Sequence, residues 1–224
     1  MSDDLHQVKK LCIGWLWQPP MVWSKVMENF LSLERPQNSF WVRGDGDCSA
    51  RRHIEVCEKA REGGASHVLL LGADQIHPTD MIPRLIKRVE EDKCDVISAS
   101  IPCNGNSKDS KWFQRNGWKL DGTDCVSIDP SDGELQEIAI IGSGVLMFPT
   151  VALDLMTQPW FKDFRDPFTL KCKNMADTEF VNALAWSTKM KIWVDMTIEV
   201  RHLLPMEVDN TFEERFKDWN EEKK

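Results

Sequence analysis

The segment that most constrains the fold is His67-Val68-Leu69-Leu70-Leu71-Gly72, an unbroken apolar run closed by glycine and followed by Ala73-Asp74-Gln75-Ile76-His77-Pro78. The run is short and does not alternate, which is how a strand covered on both faces of a sheet reads. Such a strand needs a layer of helices on each side. It also hands a carboxylate, an amide and an imidazole to whatever lies past its carboxyl end.

The flanking sequence supplies those layers. "VKKLCIGWLW" reads as a first strand closed by "QPP", and residues 22–33 carry Val22, Val26, Phe30 and Leu33 on one helical face. "SFWVRG" is a second strand. From Ala50, the spacing of Ile54, Cys57 and Ala60 predicts a helix that Gly63-Gly64 ends. After Pro78, a helix follows through Ile82, Leu85, Ile86 and Val89, with Thr79 or Asp80 as cap and Pro83 tolerated in its first turns. "CDVISASI" is the next strand. Strands alternating with helices through residue 101 predict an α/β open sheet.

Beyond residue 101 the rhythm changes. Residues 102–124 read as a polar loop carrying Trp112, Phe113 and Trp118, and "CVSID" with "ELQEI" as a hairpin turning at Pro130 to Gly133. "IAIIGSGVLMF" is apolar on both sides of Gly142-Ser143-Gly144. A helix is expected over 177–188. A strand then places Ile192, Val194, Met196, Ile198 and Val200 on one face, with His202 continuing that parity. Phe212, Phe216 and Trp219 suggest a C-terminal helical tail over 205–224. With no repeat or linker in sight, residues 1–224 are expected to form one domain.

The formal net charge of -8 argues against general coating of nucleic acid, which needs a basic face. Seven cysteines at positions 12, 48, 57, 94, 103, 125 and 172 contain no CxxC pair, which suits reduced thiols better than a disulfide framework. The N-terminus lacks the apolar region of a signal peptide, and no segment approaches a membrane span. A cytoplasmic protein is expected.

Two common nucleotide signatures are missing. Neither GxGxxG nor GxxxxGK[ST] follows the first strand, where "WLWQPP" stands. Asp74 sits past the end of a central strand, where open α/β sheets bind ligands. There it suits either a hard divalent cation or a local turn hydrogen bond. His202 ends its strand as either a rim residue or a neutral imidazole ligand, a type that favours Mn²⁺ over Mg²⁺. Asp177 opens a helix as a cap or as a proton acceptor for an incoming hydroxyl. Arg51 and Arg52 stand in the first turn of a helix, where the dipole disfavours cations unless an anion faces them. Ser143 and Gly144 mark either a bend or a close approach to a ligand. Trp15 and Trp17 suit core packing or nucleobase stacking. Lys108, Lys111, Arg115 and Lys119 beside Trp112 and Trp118 form either a solvated loop or a local strand-binding surface.

Taken in order, four stretches resemble the GT-A fold glycosyltransferases, in particular small stand-alone members of the family-2-like group. "SARRHIEVCEKAREGGASHVLLLGADQIHP" resembles the arginine-led helix, apolar strand and DxD-type motif, and "IPRLIKRVEEDKCDVISAS" the helix and strand after it. "IGSGVLMFPTVALDLM" with the later "PWF" is similar to the acceptor loop and its Pro-aromatic turn, and "ADTEFVNALAWSTKMKIWVDMTIEVRH" to the closing run that ends in a late histidine. The resemblance covers roughly residues 9 to 203. It implies a Rossmann-like open mixed sheet flanked by helices, a nucleotide-sugar donor (a UDP-sugar) and Mn²⁺ or Mg²⁺. By that resemblance Asp74 and His202 would hold the metal, and Arg51, Asp74, Gln75 and Trp17 would face the donor. Ser143, Gly144 and Trp112 would face the acceptor, and Asp177 would act as base in an inverting mechanism. The implied acceptor is a hydroxyl of a glycan, a protein or, as in phages, a modified DNA base. Two positions depart from the pattern: Gly72 replaces the first Asp of DxD, and Ala176 the Glu of a Glu-Asp pair. A nucleotidyltransferase and a catalytically inactive GT-A module that binds nucleotide or glycan are the competing readings.

Overall fold

The structure, a computed structural model, describes residues 3–16, 24–104, 113–122, 124–162, 164–165, 172–174 and 176–203. In chain order its elements are β1 (Leu11–Leu16), α1 (Ser24–Ser32), β2 (Ser39–Gly44), α2 (Ser49–Glu62), β3 (His67–Gly72), β4 (Gln75–Ile76), α3 (Met81–Glu90), β5 (Val96–Ser100) and β6 (Pro102–Asn104). Then follow β7 (Phe113–Arg115), β8 (Gly117–Asp121), β9 (Asp124–Ser127), β10 (Leu135–Ile138), β11 (Ile140–Ile141) and β12 (Val145–Pro149). The chain continues through β13 (Phe164–Arg165), β14 (Cys172–Asn174), α4 (Ala176–Thr188), β15 (Ile192–Glu199) and β16 (Arg201–His202).

Seven strands make the main sheet in the order β10-β15-β5-β12-β3-β1-β2. β1 runs parallel to β2 and β3, and β15 runs parallel to β5, while β12 is antiparallel to both its neighbours and β10 to β15. The apolar run of β3 behaves as its sequence requires. Val68 and Leu70 pack into the cluster with Val56, Cys57 and Phe180 on the α2 and α4 side. Leu69 and Leu71 pack with Phe30, Met81, Leu85 and Val89 on the α1 and α3 side. All four are fully buried, and burying each such side chain contributes about 1.5–3 kcal/mol. A Cβ on Gly14 would lie 2.1 Å from Cγ1 of Val56, so glycine in β1 is what lets α2 pack this close.

The register sets the functional edge. Leu16 pairs with both Gly44 and Gly72, so the three parallel strands end level with one another. Val145 pairs with Leu71, which brings the 142–144 turn to the same edge. α4 precedes a strand parallel to β5 and so runs back across the sheet. Its first turn, with Asp177, therefore starts at that edge too.

Three expectations need correction. The supposed hairpin over 125–138 does not form: β9 pairs with β8, β10 pairs with β15, and Pro130–Asp132 is a single turn of 3₁₀ helix. Asp129 accepts from the Ser131 backbone N–H, so the turn chemistry caps that helix and closes no ladder. The described part of the 102–124 stretch is not loop but short strands, with β6 against β7 and β8 against β9 and β11. Lastly, the alternation of 192–200 does not keep one face. Asp195 pairs with Ala99 but Glu199 with Ser100, and this bulge sends Ile198 and Val200 to the opposite core from Ile192, Val194 and Met196. The expected tail over 205–224 lies outside the described residues, and among the described residues no helix is long and apolar enough to cross a membrane.

Candidate functional site

The bulge in β15 steers the chain out of the main sheet. β16 leaves it and pairs antiparallel with β4, matching His202 to Gln75 and Arg201 to Ile76. The Leu203 backbone N–H donates to the Asp74 carbonyl over 2.7 Å. Two residues far apart in sequence are thereby fixed side by side, with His202 Nε2 3.1 Å from Asp74 Oδ2.

The imidazole is oriented by its other nitrogen. His202 Nδ1 lies 3.1 Å from the Pro102 carbonyl, which can only accept, so Nδ1 carries a hydrogen. A carboxylate oxygen also only accepts, so Nε2 must either be protonated toward Asp74 or face a cation. The hydrogen bond to Asp74 raises the His202 pKa above its ordinary value; burial opposes this and the Pro102 carbonyl adds to it. A backbone carbonyl fixing Nδ1–H is also how metal-ligating histidines are held. One carboxylate and one imidazole fit an ion that takes mixed oxygen and nitrogen ligands and fills its remaining positions from phosphate and water. Among the described residues no group of three or more His, Cys, Asp or Glu comes together as a metal cluster.

Gln75 and His77 flank this pair. Gln75 is buried, and its Oε1 has no hydrogen-bond partner among the described residues. The same is true of both His77 ring nitrogens; burial pushes that imidazole down to about 4, against the pull of Asp74. Asn29 of α1 locks the His77 backbone from both sides, its Oδ1 accepting from the N–H and its Nδ2 donating to the carbonyl, each over 2.8 Å.

Ser143 and Gly144 arrive from the neighbouring strand. Ser143 is buried and its hydroxyl lies 2.6 Å from His53 Nε2, while His53 Nδ1 donates to the Ser49 carbonyl over 2.7 Å. With Nδ1–H donating to that carbonyl, Nε2 of the neutral ring accepts the hydrogen bond from the Ser143 hydroxyl. His53 in turn stacks near Phe161, with centroids 4.5 Å apart, and Phe161 lies against Phe180. This ties the first turn of α2 to the 142–144 turn. The sequence reading missed His53, whose one signal was its place among Ser49, Arg51 and Arg52 in the first turns of the helix that leads into β3.

The arginines divide. Arg52 Nε donates to the carbonyls of Gly46 and Cys48, closing the loop before α2. Arg51 is half exposed and pairs with Glu55 at 3.5 Å. Trp15 stacks on Phe30 at 4.4 Å as part of the core. Asp177 stands in the first turn of α4, but its side chain, like Trp17 and Trp112, lies outside the described residues. Lys108 and Lys111 lie outside them too, so the expected strand-binding surface around Trp112 is not described; Lys119 pairs with Asp132 at 2.9 Å.

No protein-family model and no curated protein matches this sequence. Solved structures do match. A197 from STIV superposes with a TM-score of 0.57 at 10% identity, covering 88% of this chain and 86% of that one. GalNAc-T7, solved with UDP, GalNAc and Mn²⁺, superposes with a TM-score of 0.60 at 11% identity over 89% of this chain. The match takes in 45% of the GalNAc-T7 chain. At these identities the likeness is one of fold. The chain has a GT-A-type α/β fold, a mixed seven-stranded sheet flanked by helices.

Proposed function

We propose that the protein is a metal-dependent glycosyltransferase that moves a sugar from a nucleotide-sugar donor, a UDP-sugar, to a hydroxyl acceptor. The observation that carries this reading is the Asp74–His202 pair at 3.1 Å, oriented by Pro102 at the carboxyl edge of the parallel strands. The fold shared with a protein solved with UDP and Mn²⁺ supports it. Asp74 and His202 would hold a divalent cation, Mn²⁺ or Mg²⁺, which would supply Lewis-acid neutralisation of the diphosphate leaving group.

The remaining work falls to the chain itself. Arg51 and the start of α2 face the donor phosphates, where a helix N-terminus and a cation both favour negative charge. Trp17 completes the donor side, and Gln75 stands beside Asp74 at the cation rather than against the nucleotide. The 142–144 turn, with Ser143 and Gly144, bounds the acceptor side together with Trp112. His53 positions that turn through the Ser143 hydroxyl and does not itself meet substrate. Asp177 takes the acceptor proton if the configuration at the sugar carbon inverts.

A panel of nucleotide sugars incubated with Mn²⁺ tests this. Release of nucleoside diphosphate from one donor is expected. Release of pyrophosphate from a sugar phosphate and a nucleoside triphosphate would instead identify a nucleotidyltransferase, donor binding without turnover an inactive module of this fold, and failure to bind any donor would overturn the reading.

A further inference from the structure

Gly72 occupies the first position of the DxD-type motif, and a side chain there would press against its neighbours. A Cβ there would lie 3.1 Å from both Cδ and Nε2 of Gln75 and 3.2 Å from Oδ1 of Asp74. A Cβ on Gly144 would lie only 2.1 Å from Gln75 Nε2. Gly72 ends β3 and Gly144 immediately precedes its neighbour β12, and the Gly72 N–H donates to the Gly144 carbonyl over 2.8 Å. Together they form a slot that admits one carboxamide beside Asp74. Inside it, Gln75 is 4% exposed and its Oε1 has no hydrogen-bond partner among the described residues. A buried acceptor left unmade is costly, so a slot that holds one calls for a ligand.

We infer that Gln75 Oε1 is the third ligand of the cation site, a neutral oxygen standing in for the carboxylate that Gly72 lacks. This rests on the reading of Asp74 and His202 as cation ligands. Amide carbonyls are ordinary ligands of hard divalent ions. His202 and Gln75 are cross-strand partners, and Asp74 turns one oxygen to His202 and the other to the Gln75 slot. The exchange has a consequence for charge. With one carboxylate in place of two, the protein alone holds the ion loosely, and firm binding waits for the diphosphate to add its oxygens.

Mn²⁺ titrations followed by the electron paramagnetic resonance of the free ion, with and without UDP, test the assignment. Gln75→Met keeps the side-chain length but offers only a soft sulfur, which hard ions reject. It should weaken Mn²⁺ binding in the presence of UDP by about tenfold or more, while UDP binding in metal-free buffer stays at the wild-type value. Gln75→Glu restores a carboxylate and should tighten binding of Mn²⁺ alone by about tenfold. Wild-type Mn²⁺ affinity in Gln75→Met would overturn the inference, as would a loss of UDP affinity in metal-free buffer, which would make Oε1 a partner of the nucleotide. Should Gln75→Met fail to fold by circular dichroism, Gln75→Glu decides, and no tightening there overturns the inference. If the wild-type protein binds neither Mn²⁺ nor UDP, the reading of the site itself fails, not only the role of Gln75.

Discussion

The fit of Gln75 between Gly72 and Gly144 can be tested by stability alone. Gly144→Ala places a methyl 2.1 Å from Gln75 Nε2, far inside contact distance, and 3.2 Å from Oε1. The backbone does not object, because the glycines at positive φ among the described residues are Gly64, Gly122 and Gly133. Two opposing effects follow. Overpacking a filled site costs about 1–3 kcal/mol. Replacing glycine at a compatible backbone position stabilises by about 0.4–1 kcal/mol through the unfolded chain. The net expectation for Gly144→Ala is a destabilisation of about 1–2 kcal/mol. In a Gln75→Ala background the clash disappears and only the favourable part remains, so the same substitution should stabilise by up to about 1 kcal/mol. The sign reverses between backgrounds. Urea unfolding of the wild type, both single variants and the double variant gives the coupling directly, expected at about 1–3 kcal/mol. Additive effects, within about 0.5 kcal/mol, would refute the slot.

Four further outcomes follow from the structure. Gly14→Ala drives a methyl to 2.1 Å from Val56 Cγ1 between β1 and α2, and should cost about 1–3 kcal/mol in thermal or denaturant unfolding. Asp195→Ala removes the nearly buried carboxylate that accepts from Arg88 Nε over 2.7 Å and leaves Arg88 with Asp92 alone, and it should destabilise by up to about 3 kcal/mol in the same assay, since Arg88 itself reaches solvent. The His202 pair sets two pH dependences of opposite use. A cation must displace the proton on Nε2, so Mn²⁺ affinity should fall as pH drops below the raised His202 pKa, by up to tenfold per pH unit. In metal-free protein the raised pKa means that the pair contributes stability that is complete below the unfolded value near 6.5 and lost as pH rises through the folded one; melting temperatures across that range, in wild type and His202→Ala, check the sign.

The parts of the fold legible in the sequence are those where burial alone dictates pattern. β3 reads correctly because both its faces are covered, and its four apolar residues divide between the two cores. α2 and α3 read correctly because one stripe of each is apolar, although Asp80 sits at the cap position of α3 without making a cap hydrogen bond. In the stretch from 102 to 141 the strands within "CVSID" and "ELQEI" were legible but their partners were not, and the rest read as loop, because these strands are two to five residues long and owe their pairing to distant partners rather than to local period. The bulge between Asp195 and Glu199 was hidden for a related reason: alternation survives it in sequence while the faces exchange in space. At the site, Asp74 and His202 stood out by type and position, and the fold brings them together. The slot for Gln75 was invisible, since nothing local says that Gly72 and Gly144 are neighbours. His53 was hidden likewise, because its partner Ser143 is ninety positions away.

The most direct test of the central claim is the binding of UDP with and without Mn²⁺, measured by titration calorimetry on wild type and His202→Ala. If Asp74 and His202 hold the ion against the diphosphate, Mn²⁺ should strengthen UDP binding by about tenfold or more in the wild type, and His202→Ala should erase that gain while leaving the fold intact. Equal UDP affinity with and without Mn²⁺ in the wild type, or a gain that survives in His202→Ala, would contradict it.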